Sequence, residues 1–179
     1  SMKSILLPHR LVALVVACFC FASLASAELI ISRPGDPLGN GSPLGGAAID
    51  GVSENAVAVS WTQTIGFENV YIDVFNLQNL SEEEMTVTFL LRNTLLGSNI
   101  ASNSVAVPSL TISNESPFTG LTLGAGTYYL IASAVGFNGA WLDGSDPGTT
   151  HLNATFGSDY TTTTGPADFL DLGTVGCGY

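Results

Sequence analysis

Few residue types in this chain could do chemistry, and they fall into three groups: strand aromatics, loop aspartates and scattered carboxylates. Tyr71 and Phe75 occupy the strand face opposite Val70, Ile72 and Val74, and Trp141 lies near the end of a later apolar segment. Rings on an outer strand face form a ledge on which a sugar stacks. Covered on both sides, the same rings are core, because each buries a large apolar area. Asp143-Gly144-Ser145-Asp146-Pro147-Gly148 sets two carboxylates in a glycine-rich loop that Asp50 or Asp159 could join. Calcium is the ion such a loop suits, since hard cations take carboxylate and carbonyl oxygens. The spacing is not that of an EF-hand, and Asp143 and Asp146 also read as turn formers whose side chains bond their own backbone.

Other chemistries are short of parts. Beyond residue 27 the chain keeps His151 as its only histidine and Cys177 as its only cysteine. A zinc site needs three or four such ligands, and a Ser-His-acid triad needs a histidine beside an activated serine. No Gly-x-Ser-x-Gly surrounds any serine. No catalytic residue is therefore assigned, and no cofactor is expected apart from calcium at the loop above. Glycoside hydrolysis survives on composition alone, because it needs only two carboxylates across a sugar. Glu68 and Asp73 are five positions apart, and an odd separation on a regular strand points them to opposite faces. Glu82, Glu83 and Glu84 read as solvated charge in a turn.

The N-terminus carries Lys3 and Arg10, an almost unbroken apolar run from Leu11 to Leu24, then Ala25-Ser26-Ala27. That is the order of a secretory signal. The run falls short of the about 20 apolar residues that span a bilayer, so cleavage after Ala27 is expected. An uncleaved anchor and an acylated Cys18 are the alternatives. Removing 27 of 179 residues leaves 152, with Arg33 and Arg92 as the only cations against 15 acids, a net charge of −13. Nucleic acid is excluded as a partner, since counterion release needs several basic contacts. An anionic membrane surface is excluded once the signal is gone. With Cys18 and Cys20 in the signal, no internal disulfide can form. The expected compartment is extracellular, secreted or on the cell surface, with extracellular polysaccharide or matrix as partner.

The elements that must position these residues are strands. Residues 28–54 form a Gly/Pro-rich arm that denies helix formation, with one edge strand expected at Leu29 to Ser32. From Asn55 the apolar period is two, the period of a strand buried on one face. Val57, Val59 and Trp61 share a face, as do Val70, Ile72 and Val74, and Met85, Val87, Phe89 and Leu91. Further strands are predicted at Ser104 to Val107, Leu110 to Ser113, Thr119 to Leu123, Thr127 to Val135, Ala140 to Leu142 and His151 to Phe156. Tyr128-Tyr129-Leu130-Ile131 is apolar on both faces, as a central strand between layers would be. Asn138-Gly139 suits a type I′ hairpin, and Ser81-Glu82-Glu83-Glu84 suits at most one helical turn. The pattern predicts an all-β fold, an antiparallel β-sandwich or jelly-roll-like single domain over 55–160, followed over 161–179 by a Thr-rich run, Thr161 to Thr164, that is either an edge strand or the start of an irregular tail. Asn-x-Ser/Thr acceptors stand at Asn40, Asn79, Asn114 and Asn153.

Two stretches carry a resemblance. Ala56-Val57-Ala58-Val59-Ser60-Trp61-Thr62-Gln63-Thr64 followed by Phe67-Glu68-Asn69-Val70-Tyr71-Ile72 is one, and Leu121-Thr122-Leu123-Gly124-Ala125-Gly126-Thr127-Tyr128-Tyr129-Leu130 is the other. They resemble the ectodomains of bacterial PEP-CTERM exported surface proteins. The second also looks like an element of secreted β-sandwich modules, including pre-peptidase C-terminal-like domains. The resemblance implies export and a sandwich, and carries over no catalytic residue. Such proteins end in Pro-Glu-Pro, an apolar span and a basic cluster. Here the last residues run Asp168-Phe169-Leu170-Asp171-Leu172-Gly173-Thr174-Val175-Gly176-Cys177-Gly178-Tyr179, so the expectation is either a gene interrupted near Thr164 or free secretion. The leading expectation is a non-enzymatic exported β-sandwich with a structural or matrix-associated role. A carbohydrate-binding module, calcium-assisted or not, is second, and a glycoside hydrolase third.

Overall fold

The computed structural model describes residues 29–32, 41–44, 55–134, 138–142, 149–150, 152–162 and 170–173. The strands, in chain order, are β1 (Ile31–Ser32), β2 (Gly41–Leu44), β3 (Ala56–Gln63), β4 (Phe67–Asn79), β5 (Met85–Arg92), β6 (Asn99–Val107), β7 (Thr111–Leu123), β8 (Gly126–Ser133), β9 (Gly139–Leu142), β10 (Thr149–Thr150), β11 (Ala154–Thr162) and β12 (Leu170–Gly173). They pair into a six-stranded sheet in the order β12-β11-β3-β8-β5-β6, a four-stranded sheet in the order β2-β9-β4-β7, and a separate β1-β10 pair. Every pairing is antiparallel. The fold is an all-β antiparallel sandwich.

The period-two faces meet between the sheets. Val57, Val59 and Trp61 of β3, Phe89 and Leu91 of β5, and Tyr128 and Leu130 of β8 pack against Val70, Ile72, Val74 and Leu77 of β4 in one buried cluster. Trp61 stacks on Tyr128 at 5.5 Å between ring centroids. A second buried cluster, Ala56, Ala58, Leu90 and Ile131 with Leu95 and Tyr160 against it, lies apart from the first. Their alternation with Val57, Val59, Leu91 and Leu130 assigns them to the opposite face of the six-stranded sheet. β8 sits between β3 and β5, pairing Val59 with Leu130 and Leu91 with Leu130, which is why its sequence is apolar on both sides.

Inside the four-stranded sheet the alternation changes phase. Val70, Ile72 and Val74 face the core at even positions, and Leu77 and Asn79 at odd ones. The register shifts between Val74 and Leu77, where Asn76 takes a left-handed φ of 58°, a conformation asparagine tolerates better than most residues. The Asn76 N–H donates to Asn114 Oδ1 across the sheet at 2.9 Å, so the bulge is tied to its neighbour. An extra residue in one strand flips every side chain beyond it to the other face.

Buried polar side chains fasten the crossings between sheets. Asn79 is 1% exposed. Its Nδ2 donates to the carbonyls of Glu83, Val107 and Pro108 at 2.9, 3.1 and 3.1 Å, and its Oδ1 accepts from the Ser81 N–H at 2.8 Å. That pins the β4–β5 and β6–β7 connections together, and it withdraws one of the four Asn-x-Ser/Thr acceptors from solvent. Gln63 does similar work at the β7–β8 connection: its Nε2 donates to the Leu123 and Gly124 carbonyls, and its Oε1 accepts from Trp61 Nε1. Tyr128 Oη also donates to the Gly124 carbonyl at 2.9 Å. The β7–β8 crossing is thereby anchored to the ring stack beneath it.

Several local expectations are corrected. Asn138-Gly139 does not close a hairpin, since β8 and β9 belong to different sheets. Ser81 to Glu84 bends without a helical turn. The segments read as Leu110 to Ser113 and Thr119 to Leu123 are parts of one long strand, β7. The sandwich also draws strands from outside 55–160: β2 from the arm and β12 from the tail are edge strands, and β11 runs on to Thr162. Short apolar runs flanked by Gly and Pro carry weak strand signals, and an edge position lets them stay so.

β11 carries its own irregularity. Its register against β3 shifts between Phe156 and Asp159, and Gly157 passes so close to Ser60 that an added Cβ would lie 3.1 Å from the Ser60 carbonyl oxygen and collide with Oγ. Ser60 Oγ meanwhile donates to the Ser158 carbonyl at 2.7 Å. Gly157→Ala is expected to destabilise the protein by about 1–3 kcal/mol through overpacking. Equilibrium urea unfolding checks this; an unchanged midpoint would show that β11 can shift freely.

Candidate functional site

On β4 the outward positions before the bulge are Tyr71, Asp73 and Phe75, alternating with buried Val70, Ile72 and Val74. Tyr71 is 52% exposed, Asp73 is exposed and Phe75 half-buried. Ladder register places β7 alongside, with Ile72 opposite Phe118 and Val74 opposite Glu115. Asn114, Ser116 and Thr119 of β7 are exposed. Ser116 Oγ donates to Asp73 Oδ1 at 2.6 Å, a short charge-assisted bond that orients the carboxylate. The result is an open strip on the outer face of the four-stranded sheet, with an aromatic ring at one end and a carboxylate among amides and hydroxyls at its centre.

The three aromatic candidates are not brought together. Tyr71 and Phe75 share the outer face, whereas Trp141 is fully buried. It meets Phe89 edge-on at 6.3 Å and 87°, and it pairs with inward-facing Leu77 in the ladder. Trp141 is thus core, a correction to its reading as a sugar-facing ring. The cause lies in the phase change at Asn76: it turns position 77 inward, and the pairing then turns 141 inward with it. Asp143 and Asp146, read as calcium candidates, lie outside the described residues. Among the described residues no group of three or more His, Cys, Asp or Glu side chains is placed to hold a metal ion.

The carboxylates also depart from expectation. Glu68 and Asp73, predicted on opposite faces, are both exposed. A second bulge explains it: Asn69 has φ 56°, the register shifts between Phe67 and Val70, and both of those residues pack on the core. Two solvated carboxylates on an open face do not offer the sheltered setting in which an enzyme replaces water around a reacting bond.

Sequence reasoning passed over Asp73 and Ser116 as partners. Asp73 shares the parity of Tyr71 and Phe75, a signal present in β4 itself. Ser116 lies 43 positions away on β7, and nothing local marks it. No family model matches the chain, and comparison with curated proteins and with solved structures finds no match.

Proposed function

We propose that this chain is an exported, non-enzymatic β-sandwich with a structural or matrix-associated role outside the cell, of the PEP-CTERM type that its strand motifs resemble. The observation that carries the reading is the work done by the buried polar side chains. Ser60, Gln63 and Asn79 each bond backbone carbonyls that tie strands and crossings together, so these buried polar groups are engaged in fastening the sandwich around its apolar core. The apolar run up to Leu24 followed by Ala25-Ser26-Ala27 supports export, and a net charge of −13 on the remainder supports solubility in an extracellular setting. Among the described residues no helix is long and apolar enough to cross a membrane.

Two measurements test this. Expressed from Met2 in a bacterial host, the chain is expected to leave the cytoplasm with Glu28 as its new N-terminus, read by intact mass. Incubated with a panel of glycans and esters, the secreted protein is expected to release no product. Turnover that one carboxylate substitution abolishes would overturn the non-enzymatic reading, and a cytoplasmic protein with residues 1–27 attached would overturn export.

A further inference from the structure

We propose that the outer face of the four-stranded sheet binds a neutral glycan along β4, with Tyr71 as the stacking ring and Asp73 as the acceptor of sugar hydroxyls. This deepens the reading of the chain as a matrix-associated protein, and rests on it, by naming the ligand class and the surface.

The argument starts from what the strip exposes. Folding leaves Tyr71 52% exposed, while the exposed positions on neighbouring β7 carry Asn114, Ser116 and Thr119. A large amphipathic ring in that setting offers an apolar plane for the C–H face of a sugar and a hydroxyl at its rim. Outward residues on a strand recur about every 6.6–6.8 Å, from a rise of about 3.3–3.4 Å per residue. Tyr71, Asp73 and Phe75 thus form a row about 13 Å long, enough for a short run of sugar rings.

The polar groups of the row suit hydroxyls. A carboxylate accepts at both oxygens; the Ser116 bond at 2.6 Å holds Oδ1, which fixes the plane of the group and leaves Oδ2 with acceptor capacity. Hydroxyl donors to an ionised acceptor make stronger bonds than to a neutral one. The exposed amide of Asn114 and the hydroxyl of Thr119 extend the same donor and acceptor set.

Charge selects among ligands. Arg92 is on β5, in the other sheet, and bonds Asn99 Oδ1 and the Leu95 carbonyl. Among the described residues the strip contains no cation, and Asp73 at its centre repels phosphate, sulfate and uronate. A lysine-rich polypeptide would gain from a net charge of −13, and it is the competing ligand that the test separates. The row Tyr71-Asp73-Phe75 holds one carboxylate, with Glu68 exposed further back along β4, and the hydroxyl and amide groups of β7 beside Asp73 are the neutral composition that matches a polyol.

The test is affinity electrophoresis of the secreted chain through gels containing neutral polysaccharides, namely a β-glucan, a mannan and a xylan, with polylysine in solution as a separate arm. At least one neutral polysaccharide is expected to retard the protein. Tyr71→Ala should weaken that retardation about tenfold or more, as truncation of a central aromatic contact does, with a melting temperature that falls by a few degrees at most, since half of the residue stays in solvent. Asp73→Asn should weaken it less, and Tyr71→Trp should preserve it. Retardation by none of the gels, or equal retardation of Tyr71→Ala, overturns the proposal. Salt-sensitive binding to polylysine alone overturns it in favour of a cationic polypeptide. A chain that is exported and inert toward glycans as substrates, yet unretarded, sinks this inference and leaves the proposed function standing.

Discussion

Trp141→Ala lowers the stability of the sandwich by about 3–5 kcal/mol, the range for removing a large aromatic side chain from a packed core. For a domain of this size that corresponds to a fall of roughly 10 °C or more in melting temperature. Trp141 is 0% exposed, and of the fully buried side chains it is the largest. It stands on β9, a four-residue strand between β2 and β4, and its edge contact with Phe89 joins that strand to the six-stranded sheet. A cavity there removes the side chain by which a short strand adheres to the opposite layer. Trp141→Phe keeps an aromatic ring and should cost markedly less. Thermal melts followed by near-ultraviolet circular dichroism decide the matter, since the aromatic signal reports packing directly. A melting temperature within a few degrees of the parent would mean that the indole is not a structural anchor.

The Asn79 variants make a sharper pair. Asn79→Ala leaves three carbonyls without their side-chain donor and the Ser81 N–H without its acceptor, in a site 1% exposed. Leaving buried polar groups unsatisfied costs about 1–3 kcal/mol each; with some rescue by water, a loss of about 2–4 kcal/mol is expected. Asn79→Asp preserves the acceptor for Ser81 but turns an amide donor into a carboxylate facing the carbonyls of Glu83, Val107 and Pro108. Burying that charge among acceptors is worse than deleting the group, so the aspartate variant should be the less stable of the two at neutral pH. Hydrogen exchange should show early opening in residues 80–84 and 107–110, the connections the amide ties together. If the alanine variant is the less stable, the amide is not acting as a donor to that carbonyl cluster.

Both experiments touch the interior and leave the outer strip alone. Tyr71→Ala does the reverse, so stability and glycan retention should separate cleanly between the two sets of variants. A sandwich whose sheets are held by inner-face packing can change its outer face at little cost.

The all-β class, the antiparallel sandwich, the inward sets Val57-Val59-Trp61 and Val70-Ile72-Val74, and the central place of Tyr128 to Ile131 were all determined by the chain itself, because burial on one face of a strand writes a period of two directly into the order of residues. Parity also sets Tyr71 on the face opposite Val70, Ile72 and Val74, but that this face is open to solvent was decided by the tertiary structure. Which face Trp141 takes was decided only by the tertiary structure. Two residues that adopt a left-handed backbone, Asn69 and Asn76, reset the alternation within β4, and a one-residue slip inverts every position after it. Pairing then transmits the inverted phase from Leu77 to Trp141 on β9. The meeting of Asp73 with Ser116, the recruitment of β2 and β12 to sheet edges and the passage of β7 into β8 across the layers are likewise long-range events. Local periodicity says which side of a strand is apolar, and only pairing between distant segments says which strands share a sheet and which side chains face one another.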